Sequence, residues 1–104
     1  MAKITIKGIS EPLYTYEERF PQYNGRIYIE TRHQAYSDLT KWWQDALDNP
    51  TDVNKYKKSG IINNKKLHGC FLESIQLPDM DRLSEFDAQK IKAVLHYDYL
   101  ELKN

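Results

Sequence analysis

The chain is poor in the residues that announce a specialised chemistry or architecture. Its one cysteine, Cys70, excludes an internal disulfide and fits a reducing compartment. Four glycines and four prolines in 104 residues exclude collagen-like and low-complexity chains. Net charge is missing too: 15 basic residues cancel 15 acidic ones. Proteins that draw their affinity mainly from neutralising phosphates usually carry a basic excess, so that class is disfavoured. No apolar run approaches the ~20 residues of a membrane-spanning helix. Met1-Ala2-Lys3-Ile4 lacks the apolar centre of a signal peptide, so synthesis and folding in a cytoplasm are expected. No GxSxG, HExxH, GxGxxG or phosphate-loop pattern occurs, so no catalytic residue, metal or cofactor is expected.

What is present is aromatic: eight tyrosines, three phenylalanines and two tryptophans. Tyr and Trp suit positions that are dry at one end and wet at the other, as on sheet faces and interfaces. The length allows one domain with one core. Residues 3–9 (KITIKGI) and 25–32 (GRIYIETR) alternate apolar and polar, the mark of half-buried strands, with Ile27 and Ile29 inward. Between them, residues 10–25 hold Pro12, Pro21, an Asn24-Gly25 turn signal and Tyr14, Tyr16, Phe20 and Tyr23. This segment reads as an extended arm or an irregular hairpin.

From His33 to Asp48 the period changes. Tyr36, Leu39, Trp42, Trp43, Ala46 and Leu47 fall at helical spacing, with Ser37-Asp38 able to cap the first turn and Asn49-Pro50 to end it. Residues 51–64 read as a polar loop rich in Lys and Asn. Residues 66–75 (KLHGCFLESI) form a strand with Leu67, Gly69 and Phe71 on one face. An acidic turn over 76–87 leads to a final strand over 88–102, with Ile91, Ala93, Leu95, Tyr97 and Tyr99 on one face. The expected fold is α+β and mainly β: a small, curved antiparallel sandwich or half-barrel with one amphipathic helix. Four or five strands do not close a roomy barrel, so open sheet edges are expected to pair with neighbours.

Three clusters invite a chemical reading. His68, Cys70 and His96 could supply three zinc ligands, but no fourth has recognisable spacing, and partly buried strand residues are the expectation. Asp79, Asp81, Glu85 and Asp87 fail the calcium-loop pattern, because Leu83 and Ser84 stand where an oxygen ligand and a glycine are needed. The lysines at 55–66 lack both the glycines of a phosphate cradle and the interleaved aromatics of a single-strand-binding face. A solvated loop is expected there.

The order of features over residues 27–102 resembles the C-terminal half of the tail-tube proteins of contractile-tailed bacteriophages and related injection systems. The matching parts are the strand IYIETR, the aromatic helix YSDLTKWWQ, the segment KYKKSGII, the strand LHGCFLESIQLPDMD and the closing strand IKAVLHYDYLEL. Within them lie Leu67-His68-Gly69, Leu77-Pro78-Asp79 and Tyr97-Asp98-Tyr99-Leu100-Glu101. The chain is shorter than members of that family, starting almost directly at its first strand.

The resemblance implies a structural subunit of a tail tube or tube–baseplate junction, found in the virion. Six copies would form a ring, stacked on others and touching sheath or baseplate proteins, with DNA as non-specific cargo in the lumen and no membrane. It carries no catalytic residue across. Interface anchors would then be Tyr14, Tyr16, Phe20, Tyr23 and Trp42. The core would hold Ile27, Ile29, Leu39, Trp43, Leu67, Phe71, Ile91, Leu95 and Tyr97. The other reading is a small accessory module of α+β type that docks on one partner protein.

Overall fold

Period-two stretches become strands, and every one of them curls into the same barrel. The structure, a computed structural model, describes residues 1–76 and 90–102. In chain order it contains β1 (Ala2–Ile6), β2 (Leu13–Thr15), β3 (Tyr23–Arg32), a 3-10 turn (His33–Ala35), α1 (Tyr36–Asp48), a second 3-10 turn (Val53–Lys55), β4 (Lys58–Ile62), β5 (Lys65–Gln76) and β6 (Lys90–Leu102). All pairings are antiparallel and the strand order is β1-β2-β3-β6-β5-β4, with β4 returning to β1. The fold is therefore a mainly-β α+β fold: a closed six-stranded barrel with one helix.

Closure corrects the expectation of open edges. Two strands lie in segments whose sequence reads as an extended arm or irregular hairpin and as a loop. Leu13 and Thr15 of β2 point inward between two prolines, and Ile62 and Gly60 of β4 point inward from the lysine-rich stretch. β4 then pairs with β1 through Ile4↔Ile62 and Ile6↔Gly60, sealing the sheet within one chain.

The core is the barrel interior. Ile4, Ile6, Leu13, Ile27, Ile29, Ile62, Leu67, Leu72, Ile91, Leu95 and Tyr97 are all buried. Burying such a side chain contributes ~1.5–3 kcal/mol each, the main term opposing chain entropy in a domain this small. β3 leaves the barrel at the end where β1 and β5 finish and β4 and β6 begin, so α1 lies at that end. Its Leu39 and Trp42, with Ala35 before it, join the same core.

Two glycines make the packing possible. A Cβ on Gly25 would stand 2.1 Å from the Tyr97 ring, which lies directly against that backbone. Gly69 has φ +69°, and a Cβ there would meet the Asp98 carboxylate at 2.1 Å. The irregularity at Gly69 crosses three strands. Pairing of β3 with β6 runs from Tyr23↔Tyr99 to Gly25↔Tyr97 and skips Asn24, whose φ is 51°. Pairing of β5 with β6 passes from His68↔Tyr99 to Phe71↔His96.

This break resets the alternation. Leu67, Cys70 and Leu72 face inward, so Phe71, expected in the core, lies half-buried on the outside. Tyr99 likewise turns outward, although Ile91, Ala93, Leu95 and Tyr97 hold the inner face as expected.

Candidate functional site: the aromatic outer surface of the barrel

The two tryptophans exchange the places expected of them. Trp42 is buried, 1% exposed, and Trp43 is half-buried. Adjacent helical residues project about 100° apart, so only one can face the barrel, and spacing alone does not choose between them. The Trp42 indole N–H donates to the Tyr56 carbonyl, which ties the helix to the segment entering β4. Trp42 is thus a core residue and is not offered to a neighbour. Helix capping also differs: Asp38 accepts from the Ser10 backbone N–H at 3.3 Å and its hydroxyl at 3.1 Å, pinning the β1–β2 connection to α1.

Around Tyr56 a ring cluster spreads over the outside of β5. Tyr56 meets Phe71 edge-on, with centroids 5.9 Å apart, and Phe71 packs at 4.8 Å against His96 of β6. Lys57 covers Phe71 at 5.6 Å and pairs with Asp98 at 2.9 Å. Aromatic packing of this kind adds ~0.5–1.5 kcal/mol per pair beyond area burial. The cluster fastens the helical segment to the barrel wall.

A second aromatic group is left open. Tyr14 of β2, Tyr16 just beyond it and Tyr28 of β3 line a groove with Glu30 and Lys92. Tyr16 and Tyr28 are 69% and 68% exposed. Below them β2 and β3 share a single paired position, Tyr14↔Glu30. The Glu17 backbone N–H donates to Thr15 Oγ1, turning the chain away, and the Glu17 carboxylate instead accepts from the Tyr28 backbone N–H at 2.6 Å. The arm then folds back on the barrel: the Tyr97 hydroxyl donates to the Pro21 carbonyl, and Lys65 covers the Phe20 ring at 5.4 Å. Phe20 is packed against the core, so of the expected arm anchors Tyr14, Tyr16 and Tyr23 remain at the surface.

A third group sits beyond the Gly69 break. Tyr23, Tyr99 and His68 occupy neighbouring positions on β3, β6 and β5. Tyr99 and His68 stack with centroids 4.4 Å apart and planes 9° from parallel. Tyr23 stacks on none of the described rings, and a groove lined by Gln22, Tyr23, Tyr99, Leu100, Glu101 and Leu102 opens beside it. Unbroken alternation places Tyr99 inside, so this row was not visible in the sequence; Gly69 was the one hint.

The histidine–cysteine trio is dispersed. Cys70 points into the barrel, whereas His68 and His96 lie outside it. Among the described residues no three His, Cys, Asp or Glu side chains gather to hold a metal. Burial pushes the Cys70 thiol up to about 12, with Asp98 adding to the shift, and burial likewise pushes the Tyr97 phenol up to about 12. Both are therefore neutral packing groups at physiological pH. The acidic cluster at 79–87, like Leu77-Pro78-Asp79, lies outside the described residues. None of the described helices is long and apolar enough to cross a membrane.

Comparison with protein-family models, with curated proteins and with solved structures finds no match to this chain.

Proposed function

We propose that the protein is a structural subunit of a phage-type tail, in the tube or at the tube–baseplate junction, that associates with copies of itself and with adjoining tail proteins. The feature order of the sequence motivates this reading. The observation that supports it best is the open groove of Tyr14, Tyr16 and Tyr28, since rigid amphipathic rings are the usual anchors of protein interfaces.

The closed barrel changes how such a subunit would assemble. With β1 paired to β4, that seam offers no edge for a neighbour's strand. Contacts between copies then run through side-chain faces, with the tyrosine groove at their centre and DNA only as cargo of the assembled channel. Light scattering after size exclusion, followed by electron microscopy, tests the reading. Rings or tubes are expected at high concentration, and Tyr16→Ser with Tyr28→Ser abolishes them while leaving the fold intact. A strict monomer at all concentrations overturns it.

The same closure favours one other reading, a monomeric accessory module that presents the groove to a single partner. A monodisperse monomer that forms a defined complex with one tail protein would identify that case.

A further inference from the structure

We infer that the row Tyr23, Tyr99 and His68 is a stacking platform for single-stranded nucleic acid, separate from the tyrosine groove assigned above to protein contacts. The inference does not rest on the tail reading.

Its first support is ring geometry. Tyr99 and His68 come from paired positions and stand face to face at 4.4 Å, only 9° from parallel, so their rings rise from the sheet as a short stack. Tyr23 is the cross-strand partner of Tyr99 on the other side, yet makes no stack with it or with any other described ring. The groove beside them is bounded by both tyrosines. A groove bounded by exposed rings on adjacent strands suits a stacked planar ring, and unpaired nucleobases are ligands of that shape.

The second support is exposure. Tyr23 is 66% and Tyr99 42% exposed, in contrast to the rings around Phe71. A face meant only to stabilise the barrel would bury these rings. The third is the surrounding polar set. Lys66 lies on β5 two positions before His68, and exposed Arg19 belongs to the arm that precedes Tyr23. Neither forms an ion pair with a described residue. They supply cations for a backbone, while Gln22 and the neighbouring Asn24 carry amides able to bond base edges. Among the described residues Glu101 is the one carboxylate lining the groove; it lies 3.8 Å from His68 Nε2 and faces Lys66 across the strands. The phosphates would therefore follow the Lys66 flank, since Arg19 stands beside Glu17 and Glu18 in the arm. With so few cations the site reads bases by stacking more than phosphates by charge, which disfavours duplex DNA, whose rings are covered.

Fluorescence anisotropy with labelled single-stranded oligonucleotides of mixed sequence, DNA and RNA, and with the matching duplex, tests this on the full chain. Single strands are expected to bind, and the duplex much more weakly. Tyr23→Ala and Tyr99→Ala should each weaken binding about tenfold, while Tyr23→Phe and Tyr99→Phe retain it, because the ring face is what stacks. Circular dichroism on each variant verifies folding, and Tyr28→Ser serves as a control from the other groove that leaves binding unchanged. Absence of single-strand binding at low salt overturns the inference. So does preference for duplex, or equal affinity in the alanine variants. If the alanine variants instead change the oligomeric state without affecting oligonucleotide binding, the row is a protein contact and the inference also fails. Failure of Tyr16→Ser with Tyr28→Ser to alter assembly would count against the tail reading alone.

Discussion

The helix-side ring cluster and the β2–β3 tyrosine groove use similar residues for opposite ends. Around Trp42, Tyr56, Phe71 and His96 each ring is covered by another ring, by a backbone carbonyl or by a lysine. Tyr16 and Tyr28 of the groove are more than two-thirds exposed, and among their hydroxyls only that of Tyr16 finds a partner among the described residues, Glu30 at 3.3 Å. Aromatic content alone therefore says little about role. What separates the two regions is whether the chain brings back a second segment to cover the rings. Residues 49–57 do so for Phe71, whereas the arm turns aside after Thr15 and leaves Tyr16 and Tyr28 bare.

The contrast makes a ranked set of expectations. Trp42→Ala should cost ~3–5 kcal/mol, enough to threaten folding, while Trp43→Ala costs far less; urea denaturation of both variants measures the gap. Equal costs would undo the assignment of Trp42 to the core. Next comes Gly25→Ala, which sets a methyl against the Tyr97 ring and should lose roughly 1–3 kcal/mol by overpacking, with partial recovery on adding Tyr97→Leu. On the open side, Tyr28→Ser should change the unfolding free energy by no more than ~0.5 kcal/mol, the range of ordinary surface substitutions. A loss comparable with that of Trp42→Ala would show that the groove is structural and erase the comparison.

The strands that were legible are those whose alternation survives over five or more residues. β1, β3 and the first half of β6 kept their period, and α1 kept its apolar stripe. β2 was legible only as one of two alternatives, an irregular hairpin beside an extended arm, because three residues carry too little pattern. β4 was masked by the lysines that surround it; only Lys58 lies in the strand, whose Gly60 and Ile62 face inward. Phe71 and Tyr99 were misplaced for one local reason, the backbone break at Gly69 and Asp98: both strands leave regular pairing there together, keep their register, and change which alternate residues face inward. The tyrosine groove was half legible: Tyr14 and Tyr16 stood out in an aromatic arm, but their meeting with Tyr28 depends on β2 pairing with β3.

Alkaline pH gives a smaller and global effect. Cys70 and Tyr97 have folded-state values raised to about 12, so above about pH 9 the unfolded chain releases protons that the folded one keeps. Stability is full below that point and falls as pH rises from about 9 towards 12. Thermal melts across this range should show the decline, and Cys70→Ala, compared with itself at pH 7, should show less of it. Smallest of all is the Lys57–Asp98 pair. Its partly exposed side chains contribute under about 1 kcal/mol, so Lys57→Met should be nearly silent in a melt.

The carboxylate of Glu17, held on the Tyr28 amide, has a kinetic consequence. Where other neighbouring strands are joined by successive backbone rungs, β2 and β3 have one rung, helped by side-chain bonds from the Tyr28 amide to Glu17, from the Tyr16 hydroxyl to Glu30 and from the Thr31 hydroxyl to the Pro12 carbonyl. The cheapest excursion from the closed state is then a parting at that line, with β1 and β2 swinging out on their remaining bonds to β4. Amide protons of β1 and β2 would exchange with solvent sooner than those of β5 and β6.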